Sequence, residues 1–210
     1  MSLLEPLRDW HLIKLDRNTP LTVATKNLPK FRELKTLWGS FQPQLMMAGT
    51  NYPVVEERGD SYEANAVLKA ATLAELCDGP ALADDSGIEV EALGWGPGIY
   101  SSRTPWPGAS DARRNEYILT SAAQNGRSAR FVCVCALVVP GFEPVVARGS
   151  VEGIVAEEPR GSNGFGYDPI FYYPPYAATF GEVDEDKKHA VSHRGAAVRA
   201  LQSQILALVK

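Results

Sequence analysis

Short runs of consecutive apolar residues alternate along this chain with stretches in which apolar residues recur every three or four positions, the pattern of buried strands separated by amphipathic helices. The run Leu21-Thr22-Val23-Ala24 predicts a first strand. Pro29 then suits a first helical turn, and Lys30, Phe31, Leu34 and Leu37 continue at helical spacing. After a short strand predicted near 44–47, Ser61 caps a helix bearing Ala66, Val67, Ala70, Leu73 and Leu76. The apolar run 80–83 predicts a buried strand, ended by Asp84-Asp85-Ser86-Gly87, residues that favour a turn. Ser110-Asp111 opens a helix that reaches Asn125 and stops at Gly126. Residues 129–139 and 144–155 predict a hairpin turned at Pro140-Gly141, and Val198, Leu201, Ile205 and Leu208 line a last amphipathic helix. The segments 94–103 and 159–171 are dense in glycine and proline and predict loops.

Composition narrows the class. At 210 residues the chain is long enough to bury a large core, as one sizeable domain or two small lobes. We expect an irregular extension over 1–20 and a single domain over 21–210. A hydrophobic share of 45% and a charged share of 22% are those of an ordinary globular protein. The net charge of -4 argues against a general nucleic-acid binder. Three cysteines, with Cys133 and Cys135 alternating along a predicted strand, suit buried thiols in a reducing cytoplasm. Glu5, Arg8 and Asp9 interrupt any signal-peptide core, and no apolar run approaches the ~18 residues of a membrane span, so no membrane partner is expected.

The candidate chemistry lies where polar residues break this pattern. Asp84 and Asp85 are adjacent on an extended chain and point to opposite faces, as a site or as a solvated turn. Thr25-Lys26-Asn27 joins a strand to a helix N-terminus, either a phosphate cradle or a plain connection. Asn65 and Lys69 stand one helical turn apart, as a solvated stripe or near the site. Gly164 and Gly166 around Phe165 let a backbone approach a ligand while an aromatic face is offered to a planar base; a surface loop is the plain alternative. The run 184–188, acidic then basic, reads as a solvated helix. Ser192-His193-Arg194 gathers donors at a helix start, where the dipole disfavours cations, and so needs an anionic or carbonyl partner.

In order, Thr25-Lys26-Asn27 through Lys30, Ser61 to Lys69 with Asn65-Ala66, Ala83-Asp84-Asp85-Ser86-Gly87 through Pro97-Gly98-Ile99-Tyr100-Ser101, Gly164-Phe165-Gly166-Tyr167-Asp168-Pro169-Ile170-Phe171 and Ser192-His193-Arg194-Gly195 resemble the inosine triphosphate pyrophosphatase family, or XTP/dITP diphosphatases. The resemblance implies an elongated α/β fold with a long mixed sheet and flanking helices, in two lobes around a cleft. It also implies a homodimer and Mg²⁺-dependent hydrolysis of deaminated purine triphosphates (ITP, dITP, XTP) to monophosphate and pyrophosphate. It carries phosphate binding onto Thr25, Asn27, Lys30 and Ser86, the metal onto Glu56 and Asp85, and proton acceptance onto Asp85. Base recognition falls on Phe165, Gly166, Tyr167, Asp168, Lys188, His193 and Arg194. Lys26, counted with the phosphate loop, stands where the family usually has glycine, and Ala64 where it usually has glutamate.

The chemistry of phosphoanhydride hydrolysis agrees with this set. It needs charge neutralisation on phosphate oxygens, to which Lys30 and Lys69 add point charges, and a positioned water. Mg²⁺ prefers a few carboxylates with phosphate oxygens and waters. Two alternatives stay open: a pyrophosphatase with a shifted triphosphate preference, and a nucleotide-binding module without turnover.

Overall fold

The computed structural model describes residues 20–50 and 52–208; the expected extension over 1–20 falls almost wholly outside them. Strand β1 (Leu21–Val23) is followed by helix α1 (Leu28–Trp38), strand β2 (Leu45–Met47), helix α2 (Tyr62–Cys77) and strand β3 (Ala81–Val90). Then come β4 (Gly96–Pro97), α3 (Asp111–Asn125), β5 (Ser128–Val138), β6 (Val145–Val155), β7 (Phe171–Tyr173), β8 (Ala178–Thr179), α4 (Glu185–Val191) and α5 (His193–Leu208). The strands form one sheet in the order β2-β1-β3-β5-β6-β7-β8, with β4 on β3. β1 runs parallel to β2 and β3, whereas β3–β4, β6–β7 and β7–β8 are antiparallel, so the sheet is mixed and the class is α/β.

Local chemistry accounts for most element ends. Asn27, Ser61, Ser110 and Asp184 each cap a helix by accepting a backbone N–H three residues on. The predicted turn at Asp84-Asp85-Ser86-Gly87 does not form: β3 continues straight through it to Val90. Ser101 reaches the strand from the following segment, its Oγ accepting the Ile88 N–H at 2.9 Å, and β4 pairs with Glu89 and Val90. Tertiary partners therefore override the turn preference of the residues themselves. The loop predicted over 94–103 contains β4 and a 3-10 helix at Gly98–Arg103.

The chain forms two compact units, the first holding residues up to Asp84, Val134–Ala147 and the chain from Val198, the second Asp85–Cys133 and Arg148–Ala197. In the first, Leu34 and Trp38 of α1 and Ala66 and Ala70 of α2 are buried, and the Trp38 indole N–H donates to the Pro43 carbonyl at 2.8 Å. The second has an aromatic core in which the Phe131 ring lies 4.2 Å from Phe171 and Phe171 lies 5.0 Å from Phe180. Ile88, Val90 and Ile118 pack into the same cluster. Such ring pairs add about 0.5–1.5 kcal/mol each beyond their burial. Cys133 and Cys135 are both buried.

Candidate functional site

In the first unit the loop between β1 and α1 is shaped by its own side chains. Thr25 Oγ1 accepts the Asn27 N–H at 3.1 Å, and Asn27 Oδ1 accepts the Lys30 N–H at 3.0 Å. Thr25 is thereby buried, while Lys26 stays exposed. Lys30 Nζ lies 3.3 Å from the carboxylate of Asp84, whose side chain is 1% exposed. A buried carboxylate of this kind needs a cation nearby, and Lys30 supplies one.

The two glutamates ahead of α2 differ. Glu56 is exposed and pairs with Arg58 at 2.6 Å, whereas Glu57 is half-buried and accepts from Lys69 Nζ at 2.8 Å. The loop carrying them is tied to α2 by Asn65, fully buried, whose Oδ1 accepts the Gly59 N–H at 2.8 Å. Buried Asn65 and half-buried Lys69 therefore anchor this loop rather than form a solvated stripe. Tyr52 donates its hydroxyl to the Lys69 carbonyl at 3.2 Å, and burial raises its phenol above the ordinary value, a shift eased by the Lys69 charge.

In the second unit a cluster forms around Phe165. Asp168, 3% exposed, accepts at one oxygen both the Lys188 ammonium at 2.6 Å and the Phe165 N–H at 2.8 Å. Gly164, at φ +72°, must be glycine, since a Cβ there would stand 2.0 Å from that same oxygen. Lys188 Nζ and Arg194 Cζ lie 5.2 and 5.7 Å from the Phe165 ring centre, within cation–π range. Arg194 also donates to Ser86 Oγ at 3.0 Å. Contrary to the solvated-helix expectation, α4 buries Lys188 and His189.

His193 is buried, its ring stacked on Phe131 at 4.7 Å and 25°. Tyr167 donates its hydroxyl to the Ser101 carbonyl at 2.7 Å, and burial pushes its phenol up to about 12. Ser86, Phe165, Asp168, Lys188 and Arg194 are thus gathered in one unit; Thr25, Asn27 and Lys30 in the other, beside Asp84. Asp85 is 4% exposed, and it and Asp84 are successive residues of the extended strand β3. Three further residues around this cluster, to which the sequence pattern assigns no site role, are Ser101, Asp111 and Asn115. The last two bond the Gly166 peptide, and their only signal is an i, i+4 polar pair on one helix face.

Each unit carries one of the two carboxylates expected to meet a metal, Glu56 in the first and Asp85 in the second, and each offers oxygen donors, the type a hard cation takes. Among the described residues no group of three or more His, Cys, Asp or Glu is placed to hold an ion. Mg²⁺ bound through one or two carboxylates, with substrate oxygens and waters completing its shell, is compatible with that donor set.

Comparison with known proteins decides the family. A model of the Ham1 family matches residues 21–204. The chain belongs to the Ham1 family. Among its relatives, a dITP/XTP pyrophosphatase of Exiguobacterium sp. is 39% identical over 90% of this chain and 98% of the relative. Another, from Syntrophobacter fumaroxidans, is 42% identical over 90% of this chain and 83% of the relative. The fold agrees: a HAM1 protein from Coxiella burnetii superposes with a TM-score of 0.80 at 38% identity, covering 90% of this chain and 98% of that one. The Staphylococcus aureus Ham1 protein gives 0.79 at 35% identity, covering 90% and 99%.

Proposed function

We propose that this Ham1 protein is a nucleoside triphosphate pyrophosphatase that hydrolyses deaminated purine triphosphates, dITP, ITP and XTP, to the monophosphate and pyrophosphate. The observation that carries the reading is the pair of buried cationic side chains around Phe165. Lys188 and Arg194 only donate hydrogen bonds. Hypoxanthine and xanthine present an acceptor oxygen at C6, whereas adenine presents an amino donor there. A base stacked on Phe165 is therefore satisfied when deaminated and opposed donor to donor when it is adenine, and a buried polar group left unpaired is costly. The relatives' activity on dITP and XTP supports the same choice.

The remaining residues divide by task. Lys30 and Lys69 bring positive charge to the triphosphate, and the Thr25–Asn27 loop stands at the N-terminal, positive end of the α1 dipole. Asp85 orients a water and takes its proton as the water oxygen attacks the α-phosphorus. The bond from that phosphorus to the bridging oxygen breaks, and pyrophosphate leaves with the electron pair. Mg²⁺ held by Glu56 and Asp85 would supply charge neutralisation on the phosphate oxygens. The reading includes the homodimer that the family resemblance implies, the cytoplasmic setting that the cysteine pattern suits, and a single domain over 21–210.

Pyrophosphate release over dITP, XTP, dATP, dGTP and dTTP, with and without Mg²⁺, tests it. Release should favour dITP and XTP, require the cation, and fall at least ~10²-fold in Asp85→Asn with the fold intact. Binding without release would make the chain a nucleotide-binding module. Equal rates over the panel would mean a different triphosphate preference, and near-native turnover in Asp85→Asn would remove Asp85 from the reaction.

A further inference from the structure

Gly166 sits between Phe165 and Tyr167 at φ +63°, in the left-handed region. Its peptide groups are gripped from both sides by one face of α3. Asp111 Oδ2 accepts the Gly166 N–H at 3.1 Å, and Asn115 Nδ2 donates to the Gly166 carbonyl at 3.1 Å. The two side chains are four residues apart, so both project over the same turn.

Each grip is itself held. The other Asp111 oxygen pairs with Arg114 at 2.9 Å, and Arg114 in turn donates to the Ser102 carbonyl at 2.8 Å. Asn115 is 6% exposed, on a helix whose start is fixed by the Ser110 cap. Beyond Gly166, Tyr167 ties to the Ser101 carbonyl; before it, Phe165 ties to Asp168. The segment is thus held at three consecutive residues, through the backbone at 165 and 166 and through the side chain at 167. Only Gly166 lacks a side chain to anchor it. A surface loop needs no such clamp.

We infer that Asp111 and Asn115 are positioning residues for base recognition. By holding both sides of Gly166 they fix the plane of Phe165 against Lys188 and Arg194, so that the donors meet the base edge in one register. The inference rests on the proposed function for its substrate. Positioning errors of about 1 Å are enough to cost ~10²-fold in rate.

Asn115→Asp keeps the shape and removes the donor; Asp111→Leu removes the acceptor, and Asp111→Asn restores one. Hydrogen exchange of the segment 162–168 in the ligand-free protein reports the clamp without any substrate. Exchange should speed up in Asn115→Asp and Asp111→Leu and return toward normal in Asp111→Asn. In parallel, kcat/KM for dITP should fall ~10-fold or more, the dITP-to-dATP ratio should fall with it, and inhibition by pyrophosphate, which has no base, should be unchanged. If exchange is unaltered in both disruptive variants, or if exchange rises while the dITP-to-dATP ratio holds, the inference is overturned. An unsubstituted protein inert on dITP would refute the proposed function instead, leaving the exchange result to judge the clamp.

Discussion

Arg194 and Lys30 are both cations beside a carboxylate or hydroxyl, yet the tasks proposed for them predict opposite kinetic signatures. Lys30 meets Asp84 at the start of α1, and Arg194 meets Ser86 and the Phe165 ring. Phosphate contacts carry no base information, so Lys30→Ala should weaken dITP and dATP by a similar factor. Arg194→Leu removes a donor from the base edge and should lower the dITP-to-dATP ratio of kcat/KM by at least ~10-fold. Steady-state kinetics on both substrates checks the pair of variants. An unchanged ratio in Arg194→Leu would return that residue to a structural role with Ser86. Of this cluster the sequence offered residue types but not neighbours. Glycines around Phe165 and donors at 192–194 were visible as anomalies. That Asp168 holds both Lys188 and the Phe165 N–H depends on α4 folding back with its lysine buried, which no local pattern encodes.

Among the elements, those with their own start and stop chemistry were legible: α3 runs from the Ser110 cap to Gly126 as its sequence predicts. β3 was legible only in its first half. Asp84-Asp85-Ser86-Gly87 favours a turn by residue type, and what keeps it extended comes from Ser101 and β4 further along the chain. Gly87 is present for close approach, not for bending: a Cβ would stand 2.2 Å from the Gly98 carbonyl oxygen and 2.5 Å from Ser101 Oγ. Backbone cannot yield as a flexible side chain would. Gly87→Ala should therefore destabilise the protein by about 1–3 kcal/mol, seen as a lower midpoint in urea with an unchanged slope. A midpoint equal to that of the unsubstituted protein would show that the segment shifts freely and does not hold β3 straight.

For the molecule as a whole, stability should decline on both sides of neutrality, through different groups. Glu182 is held below its ordinary value chiefly by the Thr179 N–H, and Asp184 by the Lys187 N–H. What they contribute is present above the usual carboxylate range and is lost as the pH falls through their lowered values. The alkaline side is governed by Tyr167. Burial raises its phenol from 10.0 to about 12. Between those values the unfolded chain has released the proton and the folded chain still holds it, so the unfolded state binds fewer protons and stability falls as pH rises. A shift of that size is worth roughly 2–3 kcal/mol, all of it present below pH ~10 and lost by pH ~12. Tyr167→Phe removes the titrating group along with the hydrogen bond to Ser101. The variant should be less stable than the unsubstituted protein at pH 8, by about 1 kcal/mol for the lost bond. That deficit should shrink and then reverse as the pH is raised from 10 toward 12. Urea midpoints measured at steps across that window decide it, because the other alkaline groups titrate in both proteins and cancel in the difference. A deficit that stays constant to pH 12 would mean that the Tyr167 phenol ionises as readily in the folded protein as in the unfolded chain.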